Sequence, residues 1–236
     1  METTKYPRTY HLPFSEGLQN DDRKVDDDWW EYLKDKTLVL TEKLDGENQS
    51  VYKKGVFARS HGAPTTNPWS RNMWERGGIY DQVKDFLGED EGIYGENLYG
   101  IHSIEYNKLA TYYFMFAVRN NERWYSWKEV EEMSSILELP TVPVLMIRKF
   151  DSPKDLEETI NKLMSNGSQY GDTIEGVVVR NADSFKISDF SKNVVKYVRK
   201  NHVQTDKFWQ KNWKRAKLIC ETDYEKYKTT KEVLDD

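Results

Sequence analysis

A chain of 236 residues can bury a full hydrophobic core and fits one large domain, with no requirement for a second. Charged residues at 32% and aromatics at 14% exclude a disordered chain, and a formal net charge of -5 excludes a nucleic-acid binder driven by bulk electrostatics. A lone Cys220 excludes a disulfide framework or a cysteine-rich zinc site and fits a reducing, cytoplasmic setting, and no apolar stretch approaches the length of a membrane span or a secretory signal core.

In chain order, residues 1–36 mix proline, tyrosine and acid and are expected to form a docking arm, with Asp26, Asp27 and Asp28 capping a short helix through Leu33. Thr37–Thr41 is a strand by its β-branched and apolar content, and it delivers the chain into Glu42-Lys43-Leu44-Asp45-Gly46. Asp-Gly is a hairpin signal, so Lys43 is expected at a strand end beside a hairpin. Asn48–Tyr52 and Val56–Arg59 follow as strands, turned by Lys53-Lys54-Gly55. Ala63–Asn72 is a loop, and Trp74–Leu87 is a helix interrupted at Gly77-Gly78.

Gly92–Gly100 is a strand ending in a glycine-flanked acid, and the apolar run Thr111–Val118 is a central, buried strand. Arg123–Ser126 makes a hairpin partner, after which Ser126 and Glu129 form a capping box for a helix over Trp127–Leu137. Val142–Arg148 is a strand, and Ser152-Pro153 opens a helix to Met164 that ends at Ser165-Asn166-Gly167. Ile174–Arg180 and Asn193–Val198 complete the strands, and from Thr205 the spacing of Phe208, Trp209, Trp213, Ala216 and Leu218 turns helical. The class is α+β, antiparallel-leaning, with no βαβ alternation.

Between Lys192 and Lys217 the chain carries Lys196, Arg199, Lys200, Lys207, Lys211, Lys214, Arg215 and Lys217 against Asp206 alone, and phosphate contacts are expected there. Lys and Arg interleaved with Phe208, Trp209 and Trp213 suit nucleic acid as well as a packed helix with a solvated face. His11, His61, His102 and His202 have no metal-ligand spacing among themselves.

Glu42-Lys43-Leu44-Asp45-Gly46-Glu47-Asn48, Ala58-Arg59-Ser60, Tyr94-Gly95-Glu96, Tyr113-Phe114-Met115-Phe116, Glu175-Gly176-Val177-Val178-Val179-Arg180 and Val194-Val195-Lys196-Tyr197-Val198-Arg199 stand in that order. The order resembles the motifs of covalent nucleotidyltransferases, the superfamily of ATP-dependent polynucleotide ligases and mRNA-capping enzymes. Gly46-Glu47-Asn48 together with Gly95-Glu96 is most similar to the RNA ligase branch that includes phage nick-sealing and kinetoplastid editing ligases.

The resemblance implies an ATP-grasp-like ligase adenylation domain, with antiparallel sheets flanked by helices, over residues 37–204. Residues 1–36 are then an arm packed on it and 205–236 a short helical appendage. It implies ATP as substrate, Mg²⁺ or Mn²⁺ as cofactor, and RNA ends or a nicked duplex as partner; no membrane association and a monomer are expected, and the small size suggests a virus or mobile element as source. The implied reaction passes AMP from ATP to a lysine, then to an RNA 5′-phosphate, and a 3′-hydroxyl displaces it.

By position, Lys43 is the nucleophile, Glu42 borders the purine, Phe116 stacks on adenine, Glu96 contacts the ribose, Glu175 helps hold the metal, Lys196 contacts the α-phosphate, and Asn48 and Arg59 hold phosphates. A free lysine has a pKa of about 10.4, so a nucleophilic one needs burial or nearby cations, for which Arg59, Lys196 and bound Mg²⁺ are the expected sources.

The chain departs from the pattern in two places. The last motif lacks a second lysine two residues after Lys196, leaving Arg199, Lys200 or Lys186 as the second cation. Phe114 competes with Phe116 for the base, because a slip of two residues keeps the strand face. The competing functions are a DNA ligase, a capping-type guanylyltransferase, and a non-catalytic nucleic-acid-binding relative. Glu42 and Gly46-Glu47-Asn48 favour ATP and RNA, and Lys43, Glu96, Glu175 and Lys196 together favour catalysis.

Overall fold

Strand alternation sorts the chain into two sheets that face each other across a cleft. The computed structural model describes residues 5–19, 22–59, 62–200, 202 and 209–223, with Trp209 described in its backbone only. Ser60, His61, Thr205, Asp206, Lys207 and Phe208, all used in the sequence reading, lie outside the described residues.

The elements are β1 (Tyr10–His11), α1 (Trp29–Leu33), β2 (Leu38–Lys43), β3 (Glu47–Tyr52), β4 (Gly55–Ala58), α2 (Arg71–Trp74), α3 (Ile79–Val83), β5 (Gly92–Asn97), β6 (Tyr113–Arg119) and β7 (Arg123–Trp124). They continue with α4 (Trp127–Leu137), β8 (Val144–Arg148), α5 (Pro153–Met164), β9 (Gly176–Asn181), β10 (Phe185–Lys186) and β11 (Val194–Val198). One sheet has the order β1-β11-β9-β2-β8 and the other β10-β7-β6-β5-β3-β4. Every pairing is antiparallel except β1 against β11.

In the first sheet, Leu38 and Leu40, Val177 and Val179, and Val195 and Tyr197 share a core with Leu12, Trp29 and Leu33 of the N-terminal arm and Leu156 and Ile160 of α5. A period of two then sends Thr41, Lys43, Val178 and Lys196 to the opposite face. Register aligns them: Lys196 is opposite Val178, Val178 is opposite Thr41, and Lys43 lies two residues further along β2, opposite Gly176. The second sheet buries Val51, Val56, Ile93, Tyr113, Phe114 and Met115 with Val130 and Leu137 of α4.

The two long helices start as their sequences dictate. Ser126 and Glu129 form the reciprocal capping box of α4, and Ser152 caps α5 with Pro153 in its first turn. α1 also forms, but no acidic side chain caps it; Asp28 instead accepts from the Tyr32 hydroxyl at 2.8 Å.

Three other elements differ from the sequence reading. Asp45-Gly46 does not close a hairpin: β2 pairs with β8 and β9, and β3 with β4 and β5, so the turn carries the chain from one sheet to the other. The cause is non-local, because the Asp45 carboxylate caps a loop far along the chain, accepting from the Ser103 amide (2.9 Å), the Ser103 hydroxyl (2.6 Å) and the Ile104 amide (2.7 Å). The helix expected over Trp74–Leu87 is divided into α2, α3 and a 3-10 turn at Lys84–Phe86, with Gly77 at φ +78 between the first two.

The tail forms a 3-10 turn at Trp209–Lys211, then pairs in extended form, the Ile101 amide donating to Lys214 O and the Ala216 amide to Tyr99 O, each at 2.9 Å, and turns helical as expected only over residues 219–223. Trp213 packs on Tyr99 and Ala216 is buried, so its apolar residues are satisfied without a helix over Lys214–Leu218. Among the described residues no helix is long and apolar enough to cross a membrane.

Candidate active site

The cleft between the sheets encloses about 720 Å³, and Glu42, Lys43, Asn48, Arg59, Glu96, Phe116, Glu175 and Lys196 all line it. Residues far apart in sequence thus converge because β2, β9 and β11 present one wall and β3, β5 and β6 the other. Lys43 ends β2 with Nζ 2.7 Å from Glu175 Oε1 and 2.8 Å from Oε2. Glu175 is reached through Gly176, where a Cβ would stand 2.0 Å from Tyr197 O, so only glycine lets β9 pass β11 this closely. Gly46 is held in the same way: its amide donates to Glu96 Oε1 at 3.2 Å, and a Cβ would sit 2.5 Å from Asn97 O.

The electrostatics reverse one sequence expectation. Burial pushes the Lys43 ammonium toward the neutral amine, but Glu175, Glu96 and Asp45 together carry its pKa above the ordinary value. Lys196 and Arg59 do not set the balance at Nζ; the carboxylates do, with Glu175 in direct contact. Glu96 is pushed up to about 8, by burial first and then by Glu175 and Asp45 against the opposing effect of Lys43. Burial also raises Glu175. Asp45, despite burial, is held well below the carboxylate range by hydrogen bonds from His202 and Ser103.

Glu42 is 1% exposed and receives the Ser168 hydroxyl and the Gln169 amide, the latter at 3.1 Å. Asn48 lies opposite Glu96 on neighbouring strands. Phe116 is the extra residue where the register of β5 and β6 shifts, since Tyr94 pairs with Ala117 and Gly95 with Met115. It is half-buried and faces the cleft, whereas Phe114 is 1% exposed, packs on Tyr170 and does not line the cleft.

Arg199, Lys200 and Lys186 do not line the cleft, and Lys186 sits on β10 at the far edge of the second sheet. The cations found there instead are Lys5 and Arg8 of the arm and Arg180 of β9. Arg180 is buried and donates to Tyr125 O (2.6 Å) and Asn181 O (3.2 Å), and burial brings its pKa down to about 10.

One further residue, His202, escaped the sequence reading. His202 Nε2 lies 3.3 Å from Glu175 Oε1 and 3.6 Å from Asp45 Oδ1, and its side chain is 2% exposed. Asp45, Glu175 and His202 bring one ligand atom each within 4.8 Å of one another, a donor set that suits a divalent cation. Asp45 was legible as a member of the lysine motif. His202 gave no signal, being a lone histidine after the last strand.

No curated protein matches the sequence. The structure is similar to an archaeal ATP-dependent RNA ligase (TM-score 0.56, 15% identity, covering 82% of this chain and 48% of that one) and to a Naegleria gruberi RNA ligase mutant with ATP and Mn (TM-score 0.54, 18% identity, 84% and 61%). It is also similar to a putative ATP-dependent DNA ligase from Aquifex aeolicus (TM-score 0.50, 18% identity, 82% and 49%). At these identities the likeness is one of fold, and the chain spans about half to three fifths of the length of those proteins. The RNA ligase family profile matches residues 36–198, well over half of the sequence and the whole run from β2 to β11, and the chain therefore belongs to the RNA ligase family.

Proposed function

We propose that the protein is an ATP-dependent RNA ligase that joins 3′-hydroxyl and 5′-phosphate ends through lysyl-AMP on Lys43. The observation that carries this reading is the placement of Lys43 Nζ on Glu175 in a cleft that also holds Glu96, Phe116, Arg59 and Lys196. ATP as substrate is supported by the likeness to the archaeal ATP-dependent RNA ligase and to the Naegleria ligase with ATP and Mn.

The crowding of Asp45, Glu96 and Glu175, with Glu96 pushed up to about 8, is what a site for a divalent cation requires. Asp45, Glu175 and His202 would hold Mg²⁺ or Mn²⁺. When bound, the cation supplies the positive charge that offsets the carboxylates now keeping Lys43 an ammonium.

Lys43 then acts as an amine after losing one proton, for which Glu175 is the nearest acceptor. Attack forms the bond from Nζ to the α-phosphorus and breaks the bond to the bridging oxygen, whose electron pair leaves with pyrophosphate; a second Nζ proton leaves with it. Phe116 supplies a face for the base, Glu96 faces the ribose, and Lys196 with Arg59 offsets charge on the phosphates. AMP then passes to an RNA 5′-phosphate and is displaced by the 3′-hydroxyl.

The test is sealing of a nicked duplex and of single-stranded RNA ends with ATP and Mg²⁺ or Mn²⁺. Sealed RNA that requires ATP and is lost in Lys43→Ala is expected. Sealing of DNA alone would favour a DNA ligase, the reading kept open by the Aquifex likeness. Covalent GMP without sealing would favour a capping-type enzyme.

A further inference from the structure

The N-terminal arm reaches Lys196 through three side chains that the family motifs do not include. β1 runs parallel to β11 with His11 opposite Lys196, and Arg23 and Val25 bond the other edge of His11. Ser15 Oγ accepts the Val198 amide at 2.9 Å and lies 2.8 Å from His11 Nδ1. With the imidazole proton on Nε2, facing the acidic Asp22, the Ser15 hydroxyl donates to Nδ1 while accepting the Val198 amide. Nε2 lies 3.2 Å from Asp22 Oδ2, a close polar contact without hydrogen-bond alignment, and the Gln19 amide donates to the same oxygen at 3.2 Å. The other oxygen, Oδ1, lies 3.5 Å from Lys196 Nζ.

The chain Val198–Ser15–His11–Asp22–Lys196 is a closed loop that begins and ends on β11. His11 is 1% exposed, and the Asp22 and Lys196 side chains are 16% and 14% exposed. We propose that Asp22 is a positioning residue for Lys196, oriented by Ser15 and His11 so that the ammonium stays aimed into the cleft for a nucleotide phosphate. This rests on the adenylylation reading of the same site.

The geometry supports a guide, not a competitor. At 3.5 Å the contact is looser than the 2.7 Å of Lys43 on Glu175, so Lys196 can keep it while another ammonium hydrogen turns to a phosphate. Burial and Lys43 both push Lys196 toward the neutral amine, and Asp22 opposes them together with Glu175. His11 stays uncharged near neutrality, held at about 4 by burial and by Lys196, so it orients Asp22 without neutralising it. Arg59, which follows β4 of the second sheet and lines the cleft, is within electrostatic reach of Asp22.

The experiment is a double-mutant cycle on AMP binding by calorimetry, with lysyl-AMP formation and melting temperature measured on the same proteins. Asp22→Asn is expected to weaken AMP about fivefold, Asp22→Glu to recover most of that loss, and Asp22→Asn to add nothing in a Lys196→Ala background. Wild-type AMP affinity in Asp22→Asn, losses that add in the double variant, or failure of Asp22→Glu to recover binding at an unchanged melting temperature would each overturn the proposal. A wild-type protein that binds AMP and obeys the cycle but forms no lysyl-AMP would reject the adenylylation reading and leave Asp22 in its role. A wild type that does not bind AMP rejects both.

Discussion

Lys43 Nζ touches both carboxylate oxygens of Glu175, at 2.7 and 2.8 Å, so the residue proposed as the nucleophile rests as a paired ammonium. An ammonium has no lone pair to attack phosphorus. In the proposed reaction the site is switched on by whatever offsets the negative charge of Glu175, Glu96 and Asp45 at Nζ, and a divalent cation bound among the same carboxylates would do that.

The acid cluster should make stability depend on pH. Glu96 is raised to about 8 in the folded protein, above its unfolded value of about 4.3. The native state keeps a proton that the unfolded state has released, so this stabilisation is complete below about pH 4.3 and is lost as pH rises through about 8. Glu96→Gln is expected to raise the melting temperature by about 5 °C at pH 8 and to change it little at pH 4.5, while impairing nucleotide use. Mn²⁺ should stabilise the wild type at pH 8 and much less at pH 5, with reversal by chelator. Equal effects at both pH values would contradict the assignment.

Phe116 and Phe114 should separate binding from folding. Phe116→Ala is expected to raise KM for ATP about tenfold with a small change in stability, since the ring is half-buried at the cleft. Phe114→Ala removes a ring that is 1% exposed and should cost about 3–5 kcal/mol in denaturant melts. The reverse pattern would move the base-stacking role to Phe114.

The second cation is tested among residues of opposite placement. Lys186 and Lys200 are exposed and outside the cleft, and alanine there should leave lysyl-AMP formation within about twofold. Arg8 lines the cleft and repels Arg59, an arrangement that favours an anion between them. Arg8→Ala should slow adenylylation about tenfold or more. A large loss in Lys200→Ala with none in Arg8→Ala would restore the expectation drawn from the last motif.

Much of this site was legible in the sequence through the order of motifs that resembles covalent nucleotidyltransferases, and the strand period of two explains why those residues converge. Leu38, Leu40, Val177, Val179, Val195 and Tyr197 share one core, and the observed register then sets Lys43, Val178 and Lys196 together on the opposite face. The capping signals at Ser126 and Ser152 are equally local, and both helices start there.

What was not legible is set by long-range partners. Asp45-Gly46 has the composition of a hairpin turn, but Ser103 and Ile104 claim the Asp45 side chain and the strands on either side belong to different sheets. The cations of the arm, the shift of register that turns Phe116 to the cleft and the arrival of His202 at Glu175 are likewise products of packing. The net effect of the carboxylates on Lys43 could not be read from a motif that lists cations and acids in order without distances.

The most direct measurement is covalent labelling. Protein incubated with α-labelled ATP and Mn²⁺, then denatured and digested, is predicted to carry acid-labile AMP on the peptide containing Lys43, with label lost in Lys43→Ala and on omission of the divalent cation. Absence of label in the wild type, or label that persists in Lys43→Ala, would contradict the account.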